Sequence, residues 1–282
     1  MHTRKEKLEA FDRLLDVIET LRVKCPWDKK QTNESLRPNT IEEVYELCDA
    51  LMKNDDKDTC KELGDVLMHV LFYAKFGEEK ESFDLYDVCK QLTDKLIYRH
   101  PHIYGTAVAE TSEKVCENWE QLKLKEKDGN KSVLSGVPVS LPSLIKAYRI
   151  QDKARNVGFD WEDRIDVWKK VHEEVDELKA ELETYAAERA NDKESDSAKA
   201  AKERTLGELG DFIFSIVNAS RLYHLNPDTA LEKTNQKFIR RFNYIEEHSI
   251  KIGKPLKDMT LSEMDELWNE AKKTEKSDEF PS

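Results

Sequence analysis

The chain has 282 residues, 37% of them charged, with a net charge of −12 and only 9 Gly and 8 Pro. That length suits one large domain or two of roughly 100–150 residues, and the charge-rich, glycine-poor composition is that of a helical protein. The acidic balance argues against a nucleic-acid backbone or an anionic membrane as partner; a small phosphorylated ligand stays open, because bound cations invert the local field. Five cysteines (Cys25, Cys48, Cys60, Cys89 and Cys116) all lie in the first half, without a CxxC pair. An odd, unpatterned set reads as reduced thiols in a cytoplasmic protein rather than as a disulfide or zinc framework. No signal-like segment follows Met1, and no run approaches the roughly 20 apolar residues that span a bilayer.

In chain order, residues 6–23 place Leu8, Phe11, Leu14, Leu15 and Ile18 three and four apart, the spacing of an amphipathic helix. A Cys25-Pro26-Trp27-Asp28 break follows, then an expected loop through Pro38, with Asn39 or Thr40 capping the next helix and Glu42 and Glu43 in its first turn, where acid suits the helix dipole. Asn54–Asp58 is a predicted turn. A long helix is expected from Thr59, and another from near Phe83 to His100-Pro101. Residues 105–142 read as a connector, in which CENWEQLKLKEK is a short helical piece before a Gly/Ser/Pro-rich run. The second half repeats the plan: a helix at 143–156, a GFDW break at 158–161, then helices from about 163, 200, 227 and 261. The polar stretch 186–203 reads as a helix extension plus a mobile loop. No stretch combines period-two alternation with β-branched enrichment, so the expected class is all-α, with antiparallel helices packed as bundles.

One acidic signature occurs twice. EEVYE (42–46) precedes ELGD (62–65), and EEVDE (173–177) precedes ELGD (208–211). On a helix, positions i, i+3 and i+4 share a face, so Glu174 and Glu177 project together, as do Glu208 and Asp211 one helix away. Four convergent carboxylates cannot all stay ionised without a counter-charge, so they take up protons or bind cations. All-oxygen ligation suits Mg²⁺ or Mn²⁺ rather than zinc. A di-iron carboxylate bundle needs Glu-x-x-His pairs, and no histidine here has a Glu three residues before it. In so acidic a chain, three acids at fixed spacing recur by chance in about one window per hundred. The weight lies in the pairing with ELGD in both halves.

QKFIRR (236–241) aligns Lys237, Arg240 and Arg241, either a clamp for a polyphosphate or a solvated basic stripe near a helix C-terminus. The first half offers Lys95 and Arg99, with Tyr98 where Arg240 stands. Trp27 and Trp161 sit in the two breaks, and Trp119 and Trp268 in matching late helices. Each is core or, near the cations, a platform for a nucleobase.

With these motifs in place, the chain resembles the MazG family of nucleoside triphosphate pyrophosphohydrolases, in its two-domain bacterial form and across nearly its whole length. CPWDKKQT, EEVYELCDA, KELGDVL and RHPHIYG carry the likeness in the first half; NVGFDW, EEVDEL, ELGDFIFSIVN and KFIRRF carry it in the second. The resemblance implies two tandem MazG-like helical bundles, at 1–104 and 143–282, joined by the 105–142 connector, in a homodimer. It implies Mg²⁺-dependent hydrolysis of nucleoside triphosphates to monophosphate and pyrophosphate with broad base tolerance, mainly by the second domain. Carried over by motif, Glu174, Glu177, Glu208 and Asp211 are the metal ligands. Lys170, Glu173, Arg204, Lys237, Arg240, Arg241 and Trp268 line the nucleotide pocket, Glu173 acting with Glu174 and Glu177 in catalysis. Glu43, Glu46, Glu62 and Asp65, with Lys95 and Arg99, form a second site. The expected chemistry is in-line attack of water on the α-phosphorus. Two rivals keep the carboxylates without chemistry: a nucleotide-sensing helical module and an adaptor bundle whose acidic rows face solvent.

Overall fold

The computed structural model describes residues 1–107, 132–160 and 164–279, together with Thr111, Val115, Asn118, Trp119, Leu122 and Lys123. Trp161, Cys116 and most of the CENWEQLKLKEK piece lie outside the described residues. The described chain is all-α, without a strand. It divides into two compact units, Met1–Glu110 and Thr111–Ser282.

The first unit holds α1 (Arg4–Lys24), α2 (Asn33–Lys53), α3 (Asp56–Glu79), α4 (Leu85–Arg99) and the single turn α5 (Pro101–Tyr104). The expected loop through Pro38 is helix instead. Thr32 caps α2: its hydroxyl accepts from the Ser35 backbone N–H at 3.2 Å, and Ser35 Oγ accepts from the Thr32 N–H at 2.8 Å. Pro38 sits in the second turn on the exposed side, where it costs one hydrogen bond. Glu42 and Glu43 therefore lie in the third turn, beyond the reach of the dipole's positive end. The Asn54–Asp58 turn shrinks to two residues: left-handed Asn54 closes α2, and Asp55 caps α3 by accepting from the Lys57 and Asp58 N–H groups. Ile18, Leu36, Leu71, Phe72 and Phe76 form the core. Arg22 ties the Cys25–Asp28 break to it, donating to both Glu79 carboxylate oxygens at 2.7 Å and to the Asp28 carbonyl.

The second unit holds α6 (Ser143–Arg155), α7 (Arg164–Asn191), α8 (Asp196–Leu222), α9 (Pro227–Ile252) and α10 (Leu261–Glu279). Within 186–203 the expected helix extension is present, α7 running on to Asn191, while the expected loop is only 192–195, with α8 starting at Asp196 and Ser195 Oγ accepting from the Ala198 N–H. AAERAN and AKAAKE are alanine-rich with long charged side chains, a composition that favours helix. The α7–α8 hairpin is antiparallel, for the Thr205 hydroxyl donates to the Glu181 carbonyl and the Ser197 hydroxyl to Glu188, while Val167 and Val171 pack on Ala219.

Its seam follows a heptad-like rhythm, the 3.5-residue period of two helices in sustained contact. On α7 the covered positions are Val167, Val171, Glu174, Leu178, Glu181 and Tyr185; on α8 they are Ala198, Ala201, Thr205, Glu208, Phe212, Ser215 and Ala219. The α2–α3 hairpin repeats this register. Leu36, Thr40, Glu43, Leu47 and Ala50 match the α7 series, and Thr59, Glu62, Val66, His69, Tyr73 and Phe76 match the α8 series. The duplication thus extends from the acidic motifs to the pattern of burial. In both hairpins an acid occupies the seam, where packing alone favours an apolar residue.

Candidate metal and nucleotide site

Glu174 lies a heptad beyond Val167, so it falls on the buried stripe of α7 and is only 5% exposed. Glu208 holds the facing seam position on α8, and Asp211 follows three residues later. Carboxylate oxygens of Glu174, Glu208 and Asp211 all lie within 4.8 Å of one another. In the first unit, oxygens of Glu43, Glu46 and Glu62 converge to the same limit. Each cluster gathers three of the four equivalent positions: Glu177 is left out in the second unit, Asp65 in the first. Both remain electrically coupled. Burial, then the charges of Glu177, Asp211, Glu174 and Glu181, push the Glu208 carboxyl above its ordinary range. Burial, then Asp65, Glu46, Glu62 and Glu42, do the same to Glu43.

These donors fit a hard divalent cation. Octahedral oxygens at about 2.1 Å from Mg²⁺ stand about 3.0 Å apart when adjacent and about 4.2 Å apart when opposite, within the observed limit. The protein supplies partial counter-charge from lysine. Lys170 Nζ lies 2.9 Å from Glu173 and 2.7 Å from Glu174, which raises its pKa through hydrogen bonds to Glu173 and then Glu174. Lys61 Nζ lies 2.7 Å from Glu62 Oε1, but Glu62 Oε2 is buried without a partner. An orphaned carboxylate oxygen inside a cluster of acids is a vacant ligand for a cation.

The remaining expected residues fall into separate groups. Arg204 is half-exposed and pairs with Glu181 at 3.1 Å. Arg241 donates to Glu275 at 2.8 and 2.7 Å, and Arg240 reaches the same carboxylate at 3.5 Å. Trp268 packs on Phe238 with ring centroids 5.1 Å apart, and the Arg241 guanidinium lies 5.4 Å from the Trp268 ring. Lys237 is exposed on α9. Lys95 and Arg99 lie on α4, Arg99 in its last turn.

A cavity of about 750 Å³ opens beside the second cluster, lined by Lys170, Glu174 and Asp211 and continuing past Gln151, Phe159, Asp160, Asn218 and Arg221. Lys237, Arg240, Arg241 and Trp268 are not among its lining residues. Sequence reasoning passed over Gln151, Asn218 and Arg221. Arg221 is 3% exposed; its guanidinium donates to both Asp160 carboxylate oxygens and to Asn218 Oδ1, which fixes the GFD break against α8. A charged residue ending the apolar run IFSIVNASR was the available signal.

Two hairpins, each with an oxygen-only acidic cluster at its seam, define an all-α protein built to gather negative charge. The description "MazG nucleotide pyrophosphohydrolase domain" matches residues 31–104. The chain is 38% identical over 273 residues to the nucleoside triphosphate pyrophosphohydrolase of Escherichia coli (strain K12), covering 95% of this chain and 99% of that protein. It is 39% identical over 271 residues to the Thermotoga maritima nucleoside triphosphate pyrophosphohydrolase/pyrophosphatase MazG, covering 95% of this chain and 98% of that one. It is 43% identical over 278 residues to Bacillus subtilis YabN, spanning 97% of this chain and 54% of that protein. The chain belongs to the MazG family of nucleoside triphosphate pyrophosphohydrolases.

Proposed function

We propose that the protein hydrolyses nucleoside triphosphates to nucleoside monophosphate and pyrophosphate, with Mg²⁺ or Mn²⁺ and with broad base tolerance, chiefly in the second unit. The observation that carries this reading is the convergence of Glu174, Glu208 and Asp211 beside a cavity of about 750 Å³ that Glu174 and Asp211 line, with the Lys170 ammonium on the most buried of them. The names of the Escherichia coli and Thermotoga maritima relatives supply the reaction class.

Glu174, Glu208 and Asp211, with Glu177 one turn along, would hold the ion. When bound, it supplies positive charge to the phosphate oxygens and lowers the pKa of water. Lys170, which lines the cavity beside Glu174, would donate to a phosphate oxygen. Glu173, the exposed carboxylate beside Lys170, would orient the attacking water or accept its proton. Lys237, Arg240 and Arg241 form a cationic edge for the departing pyrophosphate once Glu275 releases Arg241. The first unit is the second, weaker site.

The tandem bundles are taken as domains 1–104 and 143–282 around the 105–142 connector. A homodimer is supported by the exposed apolar row Leu206, Leu209 and Ile213 on α8. Reduced Cys25, Cys48, Cys60 and Cys89 suit a cytoplasmic protein, and among the described residues no helix is long and apolar enough to cross a membrane.

Incubation with ATP and Mg²⁺, followed by separation of products, tests the reading. AMP with pyrophosphate is expected, and its yield should vanish with chelator. Unchanged ATP despite measurable binding would make the protein a nucleotide sensor instead.

A further inference from the structure

Two kinds of contact fasten α10 to the rest of the second unit. Near its start the Glu263 carboxylate accepts from Lys254 Nζ at 2.6 and 2.7 Å and from the Thr260 N–H at 2.7 Å, and further on Trp268 packs on Phe238 and Ala271 is buried. These contacts do not involve Glu275. Glu275 makes the second kind, an ion pair with the two arginines of α9, and this one is chemically mismatched.

An arginine fork ordinarily meets a carboxylate with two parallel N–H···O bonds, one to each oxygen. Here Arg241 Nε and Nη2 both donate to Glu275 Oε2, at 2.8 and 2.7 Å. Glu275 Oε1 lies 3.5 Å from Arg240 Nε, is buried and accepts no hydrogen bond. A desolvated carboxylate oxygen without a donor is costly, so the pair is weaker than its charges suggest. The Arg241 side chain is 13% exposed and its guanidinium lies 5.4 Å from the Trp268 ring, a contact that keeps it in place without the carboxylate. Arg240 and Lys237, exposed on the same stretch of α9, carry further donors that Glu275 does not take up. Pyrophosphate has more charge and more acceptor oxygens than one carboxylate, and suits this set of donors better.

We propose that Glu275 is an intramolecular competitor for the anion site on α9. Its carboxylate holds Arg240 and Arg241 while no phosphate is there, pyrophosphate displaces it, and its return speeds the departure of pyrophosphate. The identity of the anion rests on the hydrolase reading above. The apparent affinity of such a site is its intrinsic affinity reduced by the fraction of molecules in which the arginines are released. Displacement loosens α10 only around Glu275, because the Glu263 contacts and the Trp268 packing stay closed.

The test titrates inorganic pyrophosphate into the full chain by calorimetry, with EDTA present so that no cation at the acid clusters contributes. Glu275→Gln and Glu275→Ala should each bind pyrophosphate about three- to tenfold more tightly than wild type, and the gain should disappear when Arg241→Gln is added to either. Hydrogen exchange on the wild type should quicken around Glu275 when pyrophosphate is added, and stay unchanged around Glu263. Unchanged or weaker binding in either single variant that folds would overturn the assignment and leave Glu275 as a fastener of α10. Slower or unchanged exchange around Glu275 would overturn it too, and decides alone if neither variant folds. If the wild type makes no nucleoside monophosphate from ATP, it is the hydrolase reading that fails. The pyrophosphate Kd values and the exchange rates still judge the competition by the same criteria.

Discussion

Glu62→Leu isolates what the seam acids cost the fold. Glu62 is 5% exposed, holds a hairpin position otherwise suited to leucine, and buries one oxygen with no partner. An unsatisfied buried polar group costs about 1–3 kcal/mol. Replacing a buried ionic group by an apolar one of similar volume is neutral to stabilising by about 1–4 kcal/mol. Against this stands the loss of a single ion pair to Lys61, whose side chain is 65% exposed, and such a pair is worth well under about 1 kcal/mol. The net expectation is a gain of about 2 kcal/mol for the metal-free first unit, or about 5–10 °C in its melting transition. Scanning calorimetry of the full chain, with and without saturating MgCl₂, measures it. The variant should melt higher than wild type without metal and show a smaller Mg²⁺-induced shift in that transition. A Tm several degrees below wild type would refute the argument, because Glu62 would then be part of a network that stabilises the fold.

Other outcomes follow from the same geometry. The Glu208 carboxyl has a raised pKa when folded, so the folded state is favoured below the ordinary value of 4.5 and loses that advantage as pH rises through the raised value. Glu208→Gln should therefore raise the metal-free Tm at pH 7, with the difference shrinking as the pH falls toward 4.5, followed by thermal melts across that range. Lys170→Met leaves buried Glu174 without its ammonium; it should lower the metal-free Tm by a few degrees, enlarge the Mg²⁺-induced rise and cut kcat/KM, by calorimetry and initial rates. Thr32→Ala removes the α2 cap and should cost about 1 kcal/mol in urea unfolding, whereas Asn39→Ala should cost little.

The legible part of the fold came from period. Leu14, Leu15 and Ile18, or Leu67, Leu71 and the ELGD motifs, announce helices whose apolar stripes need partners. The misread boundaries have local causes. Pro38 looked like a stop, although Thr32 and Ser35 already offered a capping box and an exposed second-turn proline is affordable. The loop part of 186–203 looked longer than residues 192–195 because polarity hid the seam residues Ala198 and Ala201, small positions that pack one hairpin. For the site, spacing put Glu174 with Glu177 and Glu208 with Asp211 as helical neighbours. It does not contain the hairpin register, which joins Glu174 to Glu208 and Asp211. Nor does it contain the approach of α6, so Gln151 stayed silent: its meaning depends on a carbonyl 63 residues away.

The most direct test of the central claim compares wild type with Glu174→Gln under excess Mg²⁺ and ATP, reading nucleotides by chromatography and folding by circular dichroism. The wild type should yield AMP and pyrophosphate, and the variant should retain its helical spectrum with turnover abolished. ADP and phosphate from the wild type, or full activity in the variant, would contradict it.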